Sequence, residues 1–436
     1  MNRRPGIILL CLIFFTGLNA DAQDRKQISL QQAVDLSLQH SNTLKISGAK
    51  ITAAEAELRA AKDLALPDVK VSGSYLRLGG ANVDLKNRGG PGGSSTPTVN
   101  QALYGIANVT YPIYAGGRIK YGIESAKFLE QAAKLSAEHD KEAIIYNTTS
   151  AYTNLYKAGA MVILIRESLK ASVQRDSVLS RLEQNGLLAR NDLLKAALKS
   201  SDLELTLLEA ENDLAVSNIN MALLLGLPEN TDIETDSSFV GAKQDLKPFA
   251  EMEAQALQHR KDVQALGFQK KAVAVAVKSA RGEAYPSLAL TGGYIAADIP
   301  KLITVTNAVN IGIGVQYNLA SLWKTNTKLL QAKARETEIT AKENILADGI
   351  RLELNRDYRN YILAEKKTAV YEKAIVQAKE NYRITKNKYD NNLVTVTDLL
   401  DADVALLQTR LNTAAARADA ALAYNKLLQT TGILSK

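Results

Sequence analysis

The sequence predicts a mostly helical chain with a smaller β component, built from one unit used twice. Three observations lead there. The nine prolines leave two long gaps, one between Pro112 and Pro228 and one from Pro300 to the end. Proline breaks helix interiors, so gaps of over 100 residues admit very long helices. Several runs alternate apolar and small or polar residues with a period of two, the mark of strands. Finally, the second half restates the first at fixed spacing.

That restatement holds in two registers. Leu38-Gln39-His40 returns as Leu257-Gln258-His259 at a spacing of 219, with Pro67 on Pro286, Gly73 on Gly292 and Tyr75 on Tyr294. The spacing then becomes 206: Tyr111 falls on Tyr317, Tyr152 on Tyr358, Asp192-Leu193-Leu194 on Asp398-Leu399-Leu400, and Gly226 on Gly432. The difference of 13 lies around the glycine-rich run from Gly89 to Ser95, a loop by composition. The first repeat is expected over 23–226, a linker over 227–248 and the second repeat over 249–436.

The elements follow in order. Arg3 and Arg4, the apolar run Ile7 to Phe15 and Ala20-Asp21-Ala22 read as a secretory signal over 1–22, cleaved near Gln23. The lone cysteine, Cys11, leaves with it. Each repeat then has a short helix (about 28–41 and 249–260) and a helix of about 20 residues ending at Pro67 or Pro286. Strand pairs come next, over about 67–114 and 286–319. Val309, Ile311, Ile313, Val315, Tyr317 and Leu319 alternate with Asn310, Gly312, Gly314, Gln316 and Asn318. Length and alternation match a transmembrane β-barrel strand. The ordinary alternative is a half-buried strand of a soluble sheet. The tyrosines crowding these runs, and the need of four strands for partners to close a barrel, favour the membrane reading. Long helices are expected over 118–185 and 188–226, then 322–390 and 395–430. Val396, Leu400, Val404, Leu407 and Leu411 step by fours and threes, and Leu194, Leu198, Leu205 and Leu208 fall in a similar register. A second apolar line beside the first gives each helix two seams, as in a closed wall of helices.

Composition excludes several functions. Lys and Arg total 53 against 46 Asp and Glu, but the signs alternate along the chain, so no basic nucleic-acid stripe forms. One cysteine and three histidines call for no disulfide framework, metal site or cofactor. No segment after the leader has about 18 uninterrupted apolar residues. No converging acid, base and nucleophile suggests an enzyme.

Two segments carry a resemblance. Asn185 to Leu193 (NGLLARNDL) and Tyr389 to Ala402 (YDNNLVTVTDLLDA), with the leader and the duplicated strand–strand–helix–turn–helix order, resemble the TolC family of bacterial outer-membrane efflux proteins. The resemblance implies a homotrimer in the outer membrane of a diderm bacterium. Four strands per chain would form one β-barrel among outer-membrane lipids, continued by a long periplasmic α-helical coiled-coil barrel. It implies a passive exit duct of a tripartite efflux or type I secretion system, gated at its periplasmic tip. Its partners would be a periplasmic adaptor and an inner-membrane pump of the RND, ABC or MFS type. The adaptor would dock at the tip turns Asn185, Gly186, Leu187 and Asn392, Leu393, Val394.

The resemblance also assigns roles, each beside a plainer one. Asp398 and Asp401 would ring the pore constriction; as local chemistry they are acids of a helix start. Asp192 and Tyr389 would latch the tip, although Asp192 also reads as a plain N-cap after the turn. Val394 stands where some members carry an Arg. His40 and His259 read as helix C-terminal residues, and Trp323 as a packing or interface anchor. The competing function is a soluble periplasmic coiled-coil adaptor or scaffold, which leaves the four strands unexplained.

Overall fold

The computed structural model describes residues 25–82, 98–241, 246–300 and 302–434. The leader expected over 1–22 and the run from Gly89 to Ser95 lie outside these residues. The described order is β1 (Arg25–Ile28), α1 (Leu30–His40), α2 (Asn42–Asp63), β2 (Asp68–Asn82), β3 (Thr98–Ala115), α3 (Arg118–Gln184) and α4 (Arg190–Leu225). Then come β4 (Asp232–Thr235), α5 (Phe249–His259), α6 (Lys261–Gly282), β5 (Ser287–Ile299), β6 (Ile303–Gln316), α7 (Thr327–Asp390) and α8 (Val396–Thr430). The duplicated order is plain: α3 has 67 residues and α7 has 64, α4 has 36 and α8 has 35. No helix among the described residues is long and apolar enough to cross a membrane.

Element ends follow local chemistry. α7 begins at Thr327 rather than near 322, because Leu319–Leu322 forms a 3₁₀ turn. Asn326 Oδ1 then caps the helix by accepting from the Leu329 amide at 2.9 Å. α2 and α6 stop about one turn short of Pro67 and Pro286, since the residue before a proline is driven out of the helical region.

The chain divides into two compact units. The first comprises the described residues within 1–40, 147–242 and 366–422. Its core joins Ile28, Tyr152, Leu155, Met221, Leu225 and Ile233. β1 and β4 pair in parallel there, Lys26 opposite Ile233. The linker expectation over 227–248 did not foresee this pair. Tyr152 explains its place: the phenol donates to the Ile28 carbonyl and accepts from the Asp236 amide, both at 2.8 Å. Asn218 clamps β4 to α4, donating to the Thr231 carbonyl and accepting from the Ile233 amide.

The second unit comprises the described residues within 41–146, 243–365 and 423–436. Its helical core gathers Met252, Ala256, Ile350, Leu354, Tyr361 and Leu427. Its sheet has the order β2-β3-β5-β6, antiparallel throughout. Register places Val71, Ala107, Tyr294 and Val309 in one row across all four strands. Their face also carries Val69, Val109, Ile311, Ile313 and Val315, all exposed in the single chain, Ile311 by 82%. The next row, Lys70, Asn108, Gly293 and Asn310, is small and polar and belongs to the opposite face. One side of the sheet is thus continuously apolar, as the period of two requires, while the other mixes small and polar residues with Ile106 and Ile295.

Candidate pore tip and docking turns

The candidate site is built from the turns that join α3 to α4 and α7 to α8, all within the first unit. The two turns are copies. α3 ends at Gln184, and Gly186 takes the left-handed conformation at φ +72°. The Gly186 amide bonds the Glu183 carbonyl at 2.8 Å and the Leu187 amide bonds the Leu182 carbonyl at 2.9 Å. In the second turn Asn392 takes that place at φ +59°. Its amide bonds the Tyr389 carbonyl, and the Leu393 amide bonds the Lys388 carbonyl. Both are helix C-caps that satisfy the last free carbonyls, and Asn is the residue after Gly that best tolerates this conformation. The chain reversal pushes Leu187 and Leu393 outward, 75% and 73% exposed. Asn185, Gly186 and Asn392 are exposed beside them, and Val394 is half-buried.

Beneath the turns an apolar cluster joins the two hairpins. Leu179, Ala196, Val396 and Leu400 are buried together, with Leu182, Leu188, Leu193 and Tyr389 packed against them. Further along α3, a polar knot follows. Arg175 pairs with Asp403 of α8 at 2.6 Å, Ser172 bonds Ser200 of α4 at 2.8 Å, and Ser200 donates to Asp176. Among the described residues Arg175 Nε and Asp176 Oδ1 are buried there without a partner, a costly arrangement in a packed interior.

Asp398 belongs to a reciprocal helix cap. Its carboxylate accepts from the Thr395 amide at 2.9 Å and from the Thr395 hydroxyl at 2.6 Å, while the Asp398 amide bonds Thr395 Oγ1 at 3.2 Å. The bonds from Thr395 hold the carboxyl below its ordinary range. Asp401, one turn on, is exposed, and among the described residues it has no ion pair or hydrogen bond. Asp192 meets Lys195 at 3.4 Å, and Lys195 also reaches Thr397 Oγ1 of α8 at 3.4 Å. Tyr389 lies in the apolar cluster and makes no hydrogen bond to Asp192. Burial raises its phenol, with the charges of Asp390 and Asp192 adding to the rise and Arg175 opposing it. The phenol is therefore a neutral donor throughout the physiological range.

Sequence reasoning missed the Arg175–Asp403 pair and the reach of Lys195 to Thr397. Each joins residues over 200 positions apart, so no spacing could reveal them. The cap was legible, because Thr395-x-x-Asp398 is a local pattern.

A family model described as outer membrane efflux protein matches residues 33–227 and 254–433. The chain belongs to the outer membrane efflux protein family. Its two matched segments follow the duplication, one in each repeat. This efflux protein is an outer-membrane channel with a large periplasmic part, and its family comprises ducts rather than enzymes. Such proteins work in tripartite systems with an adaptor and an inner-membrane pump.

Solved structures share the fold. VceC of Vibrio cholerae is 20% identical, with a TM-score of 0.78, over 92% of this chain and 96% of that one. The CmeC outer membrane channel of Campylobacter jejuni is 18% identical, with a TM-score of 0.80, over 93% and 87%. The MtrE outer membrane channel of Neisseria gonorrhoeae, solved in its open state, is 17% identical, with a TM-score of 0.76, over 93% and 89%. A search of the curated proteins returns no match.

Proposed function

We propose that this efflux protein acts as a homotrimer whose three sheets close one twelve-stranded barrel. The observation that carries the proposal is the sheet itself. β2 and β6 are edges with unpaired backbone groups, and the apolar face is bare across all four strands. In a membrane every backbone donor and acceptor needs a partner, so β6 of one copy pairs with β2 of the next. The soluble-adaptor reading leaves that apolar face in water. Native mass spectrometry of detergent-extracted protein tests this: a trimer is expected, and a water-soluble monodisperse monomer overturns it.

The tip is the gate in this reading. Leu187 and Leu393, held outward by matched turns, offer the adaptor an apolar handhold, and the pump is of the RND, ABC or MFS type. Asp398 and Asp401 share a helix face and in a trimer ring the narrow end with six carboxylates. Asp398 is engaged by Thr395, so Asp401 carries most of the cation attraction. A trivalent cation added from the periplasmic side of a planar bilayer blocks conductance, and Asp401→Asn alone relieves most of that block. An unchanged block moves the constriction elsewhere. Asp192 and Tyr389 form the latch, the neutral phenol donating to the Asp192 carboxylate when the trimer's tip closes. Asp192→Ala with Tyr389→Phe raises conductance, and a wild-type conductance removes the latch.

A further inference from the structure

One end of the sheet joins the helices, and its surface differs from the rest. Register brings Asp68, Thr110, Ser287 and Gln316 to that end, with Ala115 opposite Ser287. The connecting segments all emerge there: the turn after α2, the start of α3, the end of α6 and the stretch between β6 and α7. Arg118 Nε holds the Ala115 carbonyl at 3.1 Å, and Asn326 reaches the Ala280 carbonyl, so these segments are fixed in place.

Two kinds of side chain are exposed on them. One is large and apolar or aromatic: Leu64, Leu66, Tyr114, Tyr285 and Trp323, the last 72% exposed. The other is cationic. Residues 62–70, 114–118, 281–287 and 317–328 hold six Lys or Arg against three Asp or Glu. Lys70 is matched by Asp68 and Lys328 by Glu283. Lys62, Arg118, Arg281 and Lys324 are exposed and have no carboxylate partner among the described residues, leaving Asp63 as the opposing charge. Aromatic side chains settle at a bilayer interface because one end is apolar and the other polar. Long cationic side chains lie along the apolar boundary and lift their charge to the headgroups.

We propose that this rim binds anionic phospholipid headgroups of the leaflet facing the periplasm, with Trp323 seated among them and Arg118, Arg281 and Lys324 on the phosphates. The inference rests on the outer-membrane barrel reading above. Charge complementarity selects the occupant: an excess of cations at the edge of an apolar sheet face fits a negatively charged lipid surface, and each such charge strengthens that attraction. In a trimer the rim is tripled.

Trp323 is the only tryptophan, so it is a built-in reporter. The full chain is reconstituted in phosphatidylcholine vesicles carrying dansyl-phosphatidylglycerol or dansyl-phosphatidylcholine at equal mole fraction, and energy transfer from Trp323 is measured. Transfer to the anionic probe is expected to be several-fold stronger at low salt. The preference falls to near-equal transfer in Arg118→Gln/Arg281→Gln/Lys324→Gln, and it falls in the unmodified chain as salt screens it. Equal transfer to both lipids overturns the proposal. A second reporter, Ile311→Trp in a Trp323→Phe background, sits on the bare sheet face. Its quenching by brominated acyl chains tests the barrel reading separately. If Ile311→Trp is quenched and Trp323 sees no lipid, protein covers the rim and the headgroup site is refuted. If Ile311→Trp is not quenched, the barrel reading itself fails.

Discussion

The two repeats close their last long helix in the same way and support that closure by different chemistry. α4 ends at Gly226 and α8 near Gly432, residues 206 apart, at φ +68° and +72°. Each presses on the end of the short helix of its repeat. In the first repeat the neighbour is the His40 side chain, and the surrounding core is apolar, with the Tyr152 phenol as its polar tie. In the second the neighbour is the backbone at His259 and Arg260. There the largely buried Arg260 pairs with Asp262 and Glu353 at 2.8 Å each, and Lys426 adds to Glu353 at 2.9 Å. Burial alone raises the Asp262 and Glu353 carboxyls, but their cations outweigh it and hold both below the ordinary range. A duplicated backbone thus tolerates a neutral support in one copy and an ionic one in the other, provided each is internally satisfied.

The largest expected effect is at Arg260. Arg260→Ala strands the partly buried Asp262, leaves Glu353 to Lys426 alone, and costs about 3 kcal/mol in thermal unfolding of the detergent-extracted protein. Tyr152→Phe removes a neutral tie and costs about 1–2 kcal/mol. The two also separate by pH. Lowered carboxyls stabilise the fold above their ordinary values and lose that contribution as pH falls through the lowered ones. Below about pH 4 the unmodified chain therefore loses second-repeat stability, and Arg260→Ala flattens that acid limb. Tyr152→Phe leaves it intact. An acid limb unchanged in Arg260→Ala would remove the ionic half of the comparison.

A smaller effect distinguishes the glycines. Alanine in the left-handed conformation costs about 1–2 kcal/mol at either position. At Gly432 the new methyl also lies 2.8 Å from the Arg260 backbone nitrogen, which cannot turn aside. At Gly226 it meets the His40 ring, which a second substitution removes. Gly226→Ala is therefore partly rescued by His40→Ala, and Gly432→Ala is not rescued by His259→Ala. Equal rescue, read from unfolding midpoints, would show that both ends relax alike.

The smallest effect lies at the tips. α8 starts with the Thr395–Asp398 cap, whereas α4 starts at Ala189, which has an extended backbone and no capping side chain. Ala189→Thr places a hydroxyl three residues before Asp192 and should add about 0.5–1 kcal/mol, close to what Thr395→Ala removes. Failure of Ala189→Thr to stabilise would mean that Lys195 holds Asp192 too firmly to cap.

The duplication, the long helices, the one-sided strands and the copied tip turns were all legible in the sequence, because each is a local period or a fixed spacing. Proline gaps, alternating apolar residues and repeated turn residues act through the backbone nearby, so they survive without knowledge of the fold. Only the tertiary structure decided that β1 crosses to β4, that Arg260 collects two carboxylates, and that Arg175 meets Asp403. Those partners lie on different elements, and no periodicity records a contact between them. Asp398 stands between the two cases. Its cap is written within four residues, whereas its freedom from other partners, and that of Asp401, depends on how α8 sits against its neighbours.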